Sequence, residues 1–282
     1  MKKIFLISVI IAFAIVSCDK VKNPVQSVST STTDTNKYIR KILIEDYTGH
    51  TCGNCPAAAI SAENFENQYK GKIVIISVHA GDFAKVKLPD YPASYTTTVG
   101  NDWNGPSGFG ISSSLGNPAG MINRKSYGGN PVGQKITTWP TSVSLALGDV
   151  YILKLYVVPN YNSSTRKLNT TVSAVFKTTY PNNTNLTVVL TEDSVSGPQT
   201  DYTKTPDLVT NYIFRYMLRG DINGSWGSTL KNTPIAAKDS VSLSYNDFAI
   251  DPTFNDKQVY IVAFVSDATT KEVLQVEKVR IR

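Results

Sequence analysis

The pattern of apolar and polar positions divides the chain into stretches of different texture. Ile4 to Val16 is an apolar run without charge, preceded by Lys2 and Lys3. Its length suits the core of a signal peptide and is short for a membrane span. Residues 19–36 are rich in Ser, Thr, Asn and Val and show no periodicity, as in a flexible tether. From Tyr38 onward the texture changes. Ile39 to Asp46 reads as a short strand. Pro56 to Tyr69 reads as a helix, with Pro56 in its first turn and Ile60, Phe65 and Tyr69 as its buried stripe. Gly71 ends that helix, and Ile73 to Val78 is a continuous apolar strand of the kind buried on both faces. Strand, helix and strand in succession predict a βαβ unit, a parallel pair joined by a right-handed crossover.

Asp82 to Gly110 is a Pro-, Gly- and Tyr-rich insertion, partly helical around Ala93 to Asn101. Pro118 then leads into a short strand, Ala119 to Asn123, and a helix or turn is expected near Lys135 to Leu147. From about Val150 the pattern is all β. Candidate strands are Tyr151–Val158, Lys167–Phe176, Leu186–Thr191, Tyr212–Arg219, Val241–Phe248, Gln258–Val265 and Val273–Ile281. Leu186, Val188 and Leu190 alternate with Thr187, Val189 and Thr191, the period of two that marks a strand. Asn162-Ser163-Ser164, Asn182-Asn183 and Asp267-Ala268-Thr269-Thr270 supply turn chemistry between the runs. Such a series of strands predicts an immunoglobulin-like sandwich.

The N-terminal run ends in Ile15-Val16-Ser17-Cys18, apolar and small residues directly before a cysteine. This is the lipobox pattern, in which the cysteine is lipidated and becomes the new N-terminus after cleavage. The alternative is an ordinary signal peptide with a chance cysteine, but Cys18 sits where a cleavage site belongs. Acyl chains at about 0.8 kcal/mol per buried methylene hold a soluble domain on a membrane without a transmembrane helix. The formal charge is +6, falling to about +4 once Lys2 and Lys3 are removed. The basic residues are scattered, so they read as solvated surface, and no nucleic-acid partner is expected.

With Cys18 assigned to lipid, Cys52 and Cys55 are the cysteines left. A pair three residues apart closes almost no loop, so it adds little to stability through the unfolded state. Thr51-Cys52-Gly53-Asn54-Cys55-Pro56 lies where the first strand gives way to the first helix. Unpaired N–H groups and the dipole at a helix start favour an anion, so the Cys52 thiolate is stabilised there. Cys52 is then the attacking sulfur and Cys55 the resolving one. A CxxC in this βαβ setting is the thioredoxin-like context. In that context Pro118 is placed as the cis-proline facing the pair, against the alternative of an ordinary trans loop proline. Asp46 is the buried acid that helps proton transfer, against the alternative of a surface carboxylate at a strand end.

Both histidines lie near the pair. His50 is assigned to thiolate stabilisation, and His79 first to a polar strand end hydrogen-bonded to a loop. Two Cys and two His could ligate zinc, but His50-x-Cys52 is cramped and a strand-end ligand would need unusual reach. No metal and no cofactor is expected. Tyr212, Phe214, Tyr216 and Trp226 are read as sandwich core and edge rather than a sugar platform. Thr51 stands where thioredoxins usually carry Trp, and Gly-Asn replaces Gly-Pro, so the potential can depart from a reductase's. The expected organisation is a signal peptide over 1–17, a lipidated tether over 18–37, an α/β thioredoxin-like domain with an insertion over 38–147, and a β-sandwich over 148–282.

The string Lys41-Ile-Leu-Ile-Glu-Asp-Tyr-Thr-Gly-His-Thr-Cys-Gly-Asn-Cys-Pro56, the segment Ile73 to Gly81 and Asn117-Pro-Ala-Gly-Met-Ile-Asn-Arg124 resemble the 28-kilodalton outer membrane protein family of Gram-negative bacteria. The resemblance covers most of residues 38–282 and is most specific in the first half. It implies an outer-membrane lipoprotein with a thioredoxin-like domain followed by a β-sandwich. It supplies no mechanism, though a surface-adhesin or receptor role is sometimes attached to the family. Two functions follow as expectations. One is thiol–disulfide exchange on an envelope protein client. The other is a non-enzymatic binding protein, an adhesin or complex component, whose CxxC is a structural disulfide. The first expects an exposed Cys52 and the second a buried one.

Overall fold

Two apolar runs, Ile-Leu-Ile at 42–44 and Ile-Val-Ile-Ile at 73–76, are the β-branched sequences that a doubly covered parallel strand needs. They form β1 (Ile42–Thr48) and β2 (Ile73–His79), buried along their whole length. The strands pair in parallel, with Ile42 opposite Ile73 and Thr48 opposite His79. Their crossover is α1 (Cys55–Gln68), which has Pro56 in its first turn. The structure is a computed structural model that describes residues 39–282; Cys18, the expected signal peptide and the whole expected tether lie outside the described residues.

After β2 the insertion contributes α2 (Thr98–Asn104) and α3 (Ile111–Leu115). Helix α2 begins later than the sequence suggests, because Thr97 caps it by accepting from the Gly100 N–H at 3.0 Å. Next come β3 (Ala119–Ile122), antiparallel to β1, and α4 (Trp139–Ala146). The strand-rich remainder holds β4 (Leu153–Asn162), β5 (Lys167–Phe176), β6 (Thr184–Glu192), β7 (Val195–Thr200), β8 (Leu208–Phe214), β9 (Met217–Asp221), β10 (Ser228–Lys231), β11 (Ser240–Ala249), β12 (Val259–Asp267) and β13 (Val273–Arg280).

One sheet runs β13-β12-β6-β9-β2-β1-β3, with β10 also paired to β6. Strands from either side of residue 148 therefore share a sheet, joined where β9 lies parallel to β2 at Ser77 and Met217. Residues Tyr38–Arg282 form one compact unit. A second sheet, β11-β5-β4, packs over the β6–β12 end, with Leu155, Val172 and Phe176 meeting Leu186, Val188 and Leu190 in one core. The opposite face of the long sheet carries Leu43, Ile76, Val189, Val262 and Phe264, packed with Val99 and Trp103 of α2. Ile42, Ile44, Ile73 and Ile75 face α1 and α4, in one cluster with Ala58, Ala62, Trp139 and Val143.

Two expectations change. Ile60 is 58% exposed, and the buried residues of α1 are Cys55, Pro56, Ala58 and Ala62. Small residues let the helix lie close on the sheet, which leaves Ile60 on the outer side. The run Tyr212–Arg219 is two strands, β8 and β9, broken at Tyr216, whose φ is 55°. The alternation in β6 does not mark a solvent face: Thr187, Val189 and Thr191 are buried as well, because the sheet is covered on both sides.

Candidate functional site

The parity of the two parallel strands builds the site. Residues 42, 44, 46 and 48 of β1 share a face, as do 73, 75, 77 and 79 of β2. On that face the first two positions of each strand are isoleucines, and the last two are Asp46, Thr48, Ser77 and His79. The face turns polar at the carboxyl ends of the strands, where α1 begins, which is where open α/β sheets hold their ligands.

There Cys52 and Cys55 are joined in a disulfide, with Cα atoms 5.4 Å apart. Cys55 is the first residue of α1. A cavity of about 80 Å³ adjoins it, lined among others by Asp46, Thr48, Ser77 and His79 of β1 and β2 and by Tyr212, Phe214 and Arg215. Such a volume holds a few waters. Ile60 and Ile213, 58% and 47% exposed, lie at its border. Glu63 and Arg215 form a half-exposed ion pair there at 3.8 Å.

Asp46 is 1% exposed, so the surface alternative fails. Neither carboxylate oxygen has a hydrogen-bond partner among the described residues. Burial alone pushes its pKa up to about 7. His79 is also buried, and neither ring nitrogen has a hydrogen-bond partner among the described residues, which corrects the expected bond to a loop. It packs edge-on against Tyr95 and Phe214 at 5.4 and 5.3 Å between centroids. Burial, and then the nearby His50 and Arg219, bring its pKa down to about 3, so the ring is neutral.

His50 is buried, stacked on Tyr91 at 5.3 Å, and its Nε2 lies 3.0 Å from the Lys85 carbonyl. Burial lowers its pKa, so it is a neutral ring and brings no positive charge to a thiolate. The Asn117–Pro118 bond is cis, and Pro118 enters β3 beside the end of β1, where Ala119 pairs with Tyr47. Three other X–Pro bonds among the described residues are also cis, so the isomer alone marks no site.

The other side of the pair is covered by the β7–β8 hairpin, a two-stranded sheet of its own. The Thr200 N–H donates to the His50 carbonyl at 2.9 Å, Gln199 Nε2 to the Cys52 carbonyl at 2.9 Å, and the Tyr202 N–H to the Gly53 carbonyl at 3.1 Å. Cys52 and Cys55 are 3% and 2% exposed. The expected exposure of Cys52 is not found, because this segment lies over it. Tyr212, Phe214 and Tyr216 border the cavity, while Trp226 stands elsewhere, against Phe109. Thr48 and Ser77 could have been found from strand parity. Gln199 and Tyr202 could not, since nothing in the sequence links Gln199 to a cysteine 147 residues earlier.

Residues 110–282 match the sequence model of the family described as outer membrane protein Omp28. The disulfide and Asp46 precede that stretch, so the match does not reach them. No curated protein matches the chain. Among solved structures, HBP35 of Porphyromonas gingivalis is similar at TM-score 0.60 and 15% identity, covering 86% of this chain and 76% of that one. A protein of Agrobacterium tumefaciens is similar at TM-score 0.50 and 11% identity, covering 86% and 96%. A domain of the outer membrane lipoprotein Omp28 from Porphyromonas gingivalis is 23% identical over 46% of this chain and 88% of that one, at TM-score 0.30. The first two show likeness of fold. Among the described residues no helix is long and apolar enough to cross a membrane. By the extent of its family match, the chain belongs to the Omp28 outer membrane protein family.

Proposed function

We propose that this outer membrane protein performs thiol–disulfide exchange on envelope proteins through Cys52 and Cys55, from a thioredoxin-like α/β region. The observation that carries this reading is Asp46, a buried carboxyl without a partner among the described residues, which borders the same cavity as Cys55. Such a group lowers stability, and a disulfide that served only as a clip would have no use for it. The βαβ unit, the CxxC at the strand–helix junction and the antiparallel β3 on the far side of β1 support the thioredoxin-like reading. The strand-rich half supports client recognition, and Cys18 is the proposed point of lipid attachment.

In the oxidising direction a client thiolate attacks Cys52 Sγ. The Cys52–Cys55 bond breaks, and Cys55 leaves as a thiolate that takes a proton from neutral Asp46. A second client thiolate attacks the client sulfur of the mixed disulfide and releases Cys52 as a thiolate. The client gains a disulfide and the protein becomes a dithiol; reduction is the reverse. Pro118 offers the backbone contact on the substrate side.

The burial of both cysteines favours a second reading, a binding protein with a structural disulfide. Equilibration in glutathione buffers separates the two. Exchange expects a potential between about −120 and −270 mV, with the Cys55→Ser variant trapping scrambled ribonuclease through Cys52. A potential below about −300 mV and no trapped species would establish the structural clip.

A further inference from the structure

Exchange requires access to a sulfur, yet both cysteines are covered. The cover is a strap of this same chain. Three carbonyls of the CxxC turn, those of His50, Cys52 and Gly53, accept hydrogen bonds from Thr200, Gln199 and Tyr202. Two of the three donors are main-chain N–H groups, which any extended polypeptide carries. The Tyr202 ring lies over Gly53 so closely that a Cβ there would come within 2.5 Å of it. Tyr202 is nevertheless 64% exposed, so its ring is held chiefly by that contact with Gly53.

We propose that these carbonyls are the docking row for an extended client backbone, and that the strap Gln199–Tyr202 fills the row until a client displaces it. This rests on the exchange reading above and names its substrate class as unfolded or extended polypeptide rather than small thiols. A client backbone replaces the main-chain bonds that the strap gives up, and the 2.6 Å bond between the Tyr91 and Thr200 hydroxyls goes unreplaced, so displacement is largely compensated. A small thiol has no amides to offer and must open the strap without compensation. Once the strap is off, the client thiolate attacks Cys52 Sγ and Cys55 leaves, as in the exchange step above.

The test is the rate at which the disulfide of the intact protein is reduced, read by alkylation of the new thiols. Dithiothreitol is the small probe and reduced, unfolded ribonuclease the polypeptide. In the wild type the polypeptide reacts about tenfold faster per thiolate, the worth of one or two hydrogen bonds. Tyr202→Ala and Gly53→Ala each loosen the strap and speed dithiothreitol and the polypeptide alike by about tenfold, while Tyr202→Phe keeps the wild-type rates. Combining Gly53→Ala with Tyr202→Ala adds nothing further, because both act on one contact. Dithiothreitol rates within about twofold of wild type in both single variants would overturn the proposal. Failure of the exchange reading looks different: the equilibrium potential then lies in the structural range whatever the strap does to the rate.

Discussion

Glu45 and Asp46 are neighbours on β1, yet their side chains serve opposite faces of one sheet and live under opposite conditions. Glu45 is fully buried and meets Arg124 in a two-point pair, Nε to Oε2 at 2.8 Å and Nη2 to Oε1 at 2.6 Å. The guanidinium lies 4.6 Å from the Trp103 ring centroid and 4.9 Å from that of Phe264. Asp46, on the CxxC side, has no partner among the described residues. Burial is thus the same for both acids, and pairing is what differs. A paired buried acid holds a charge and fixes the fold; an unpaired one holds a proton that it can give away.

The largest effect is expected on the paired side. Arg124→Ala strands the Glu45 charge and lowers stability by about 3–5 kcal/mol, measured by urea unfolding at pH 7. Asp46→Asn works in the other direction. The folded pKa of about 7 lies above the unfolded value of 3.8, so the wild type loses stability as pH rises from 3.8 through 7. Asn escapes this loss. Relative to wild type, the variant therefore gains about 3–4 kcal/mol of stability between pH 3.5 and pH 8.

His79 is the mirror case, since its folded pKa of about 3 lies below the unfolded 6.5. Its stabilising share is complete above pH 6.5 and is lost as pH falls toward 3. On going from pH 7.5 to 5, His79→Gln therefore gains about 2 kcal/mol relative to wild type in the same unfolding assay. The smallest effect belongs to the cavity border: Ile60→Ser changes stability by less than about 0.5 kcal/mol, as suits an exposed position.

Much of this arrangement was legible in the chain. The βαβ unit, the position of the CxxC and the burial of Asp46 follow from β-branched runs on either side of a Pro-started helix. Ile60 misled because apolar spacing cannot tell a buried isoleucine from one beside alanines that already close the contact. The break at Tyr216 escaped because it depends on a distant partner: its N–H donates to Asp193 Oδ1 at 2.7 Å. Strand β7 escaped because Val-Ser-Gly-Pro-Gln-Thr carries no apolar alternation, yet Gly197 is where Tyr95 packs, its hydroxyl filling the space a Cβ would take. The continuity of the long sheet rests on one short parallel contact between β2 and β9, which no local pattern encodes.

The decisive experiment is a carboxyl-carbon NMR titration of Asp46 in the oxidised protein, with Asp46→Asn to assign the signal. A midpoint near pH 7 is expected for an acid that exchanges its proton with Cys55. A midpoint near the ordinary value of 3.8 would show a solvated or paired carboxylate, and the proton-transfer role of Asp46 would be lost with it.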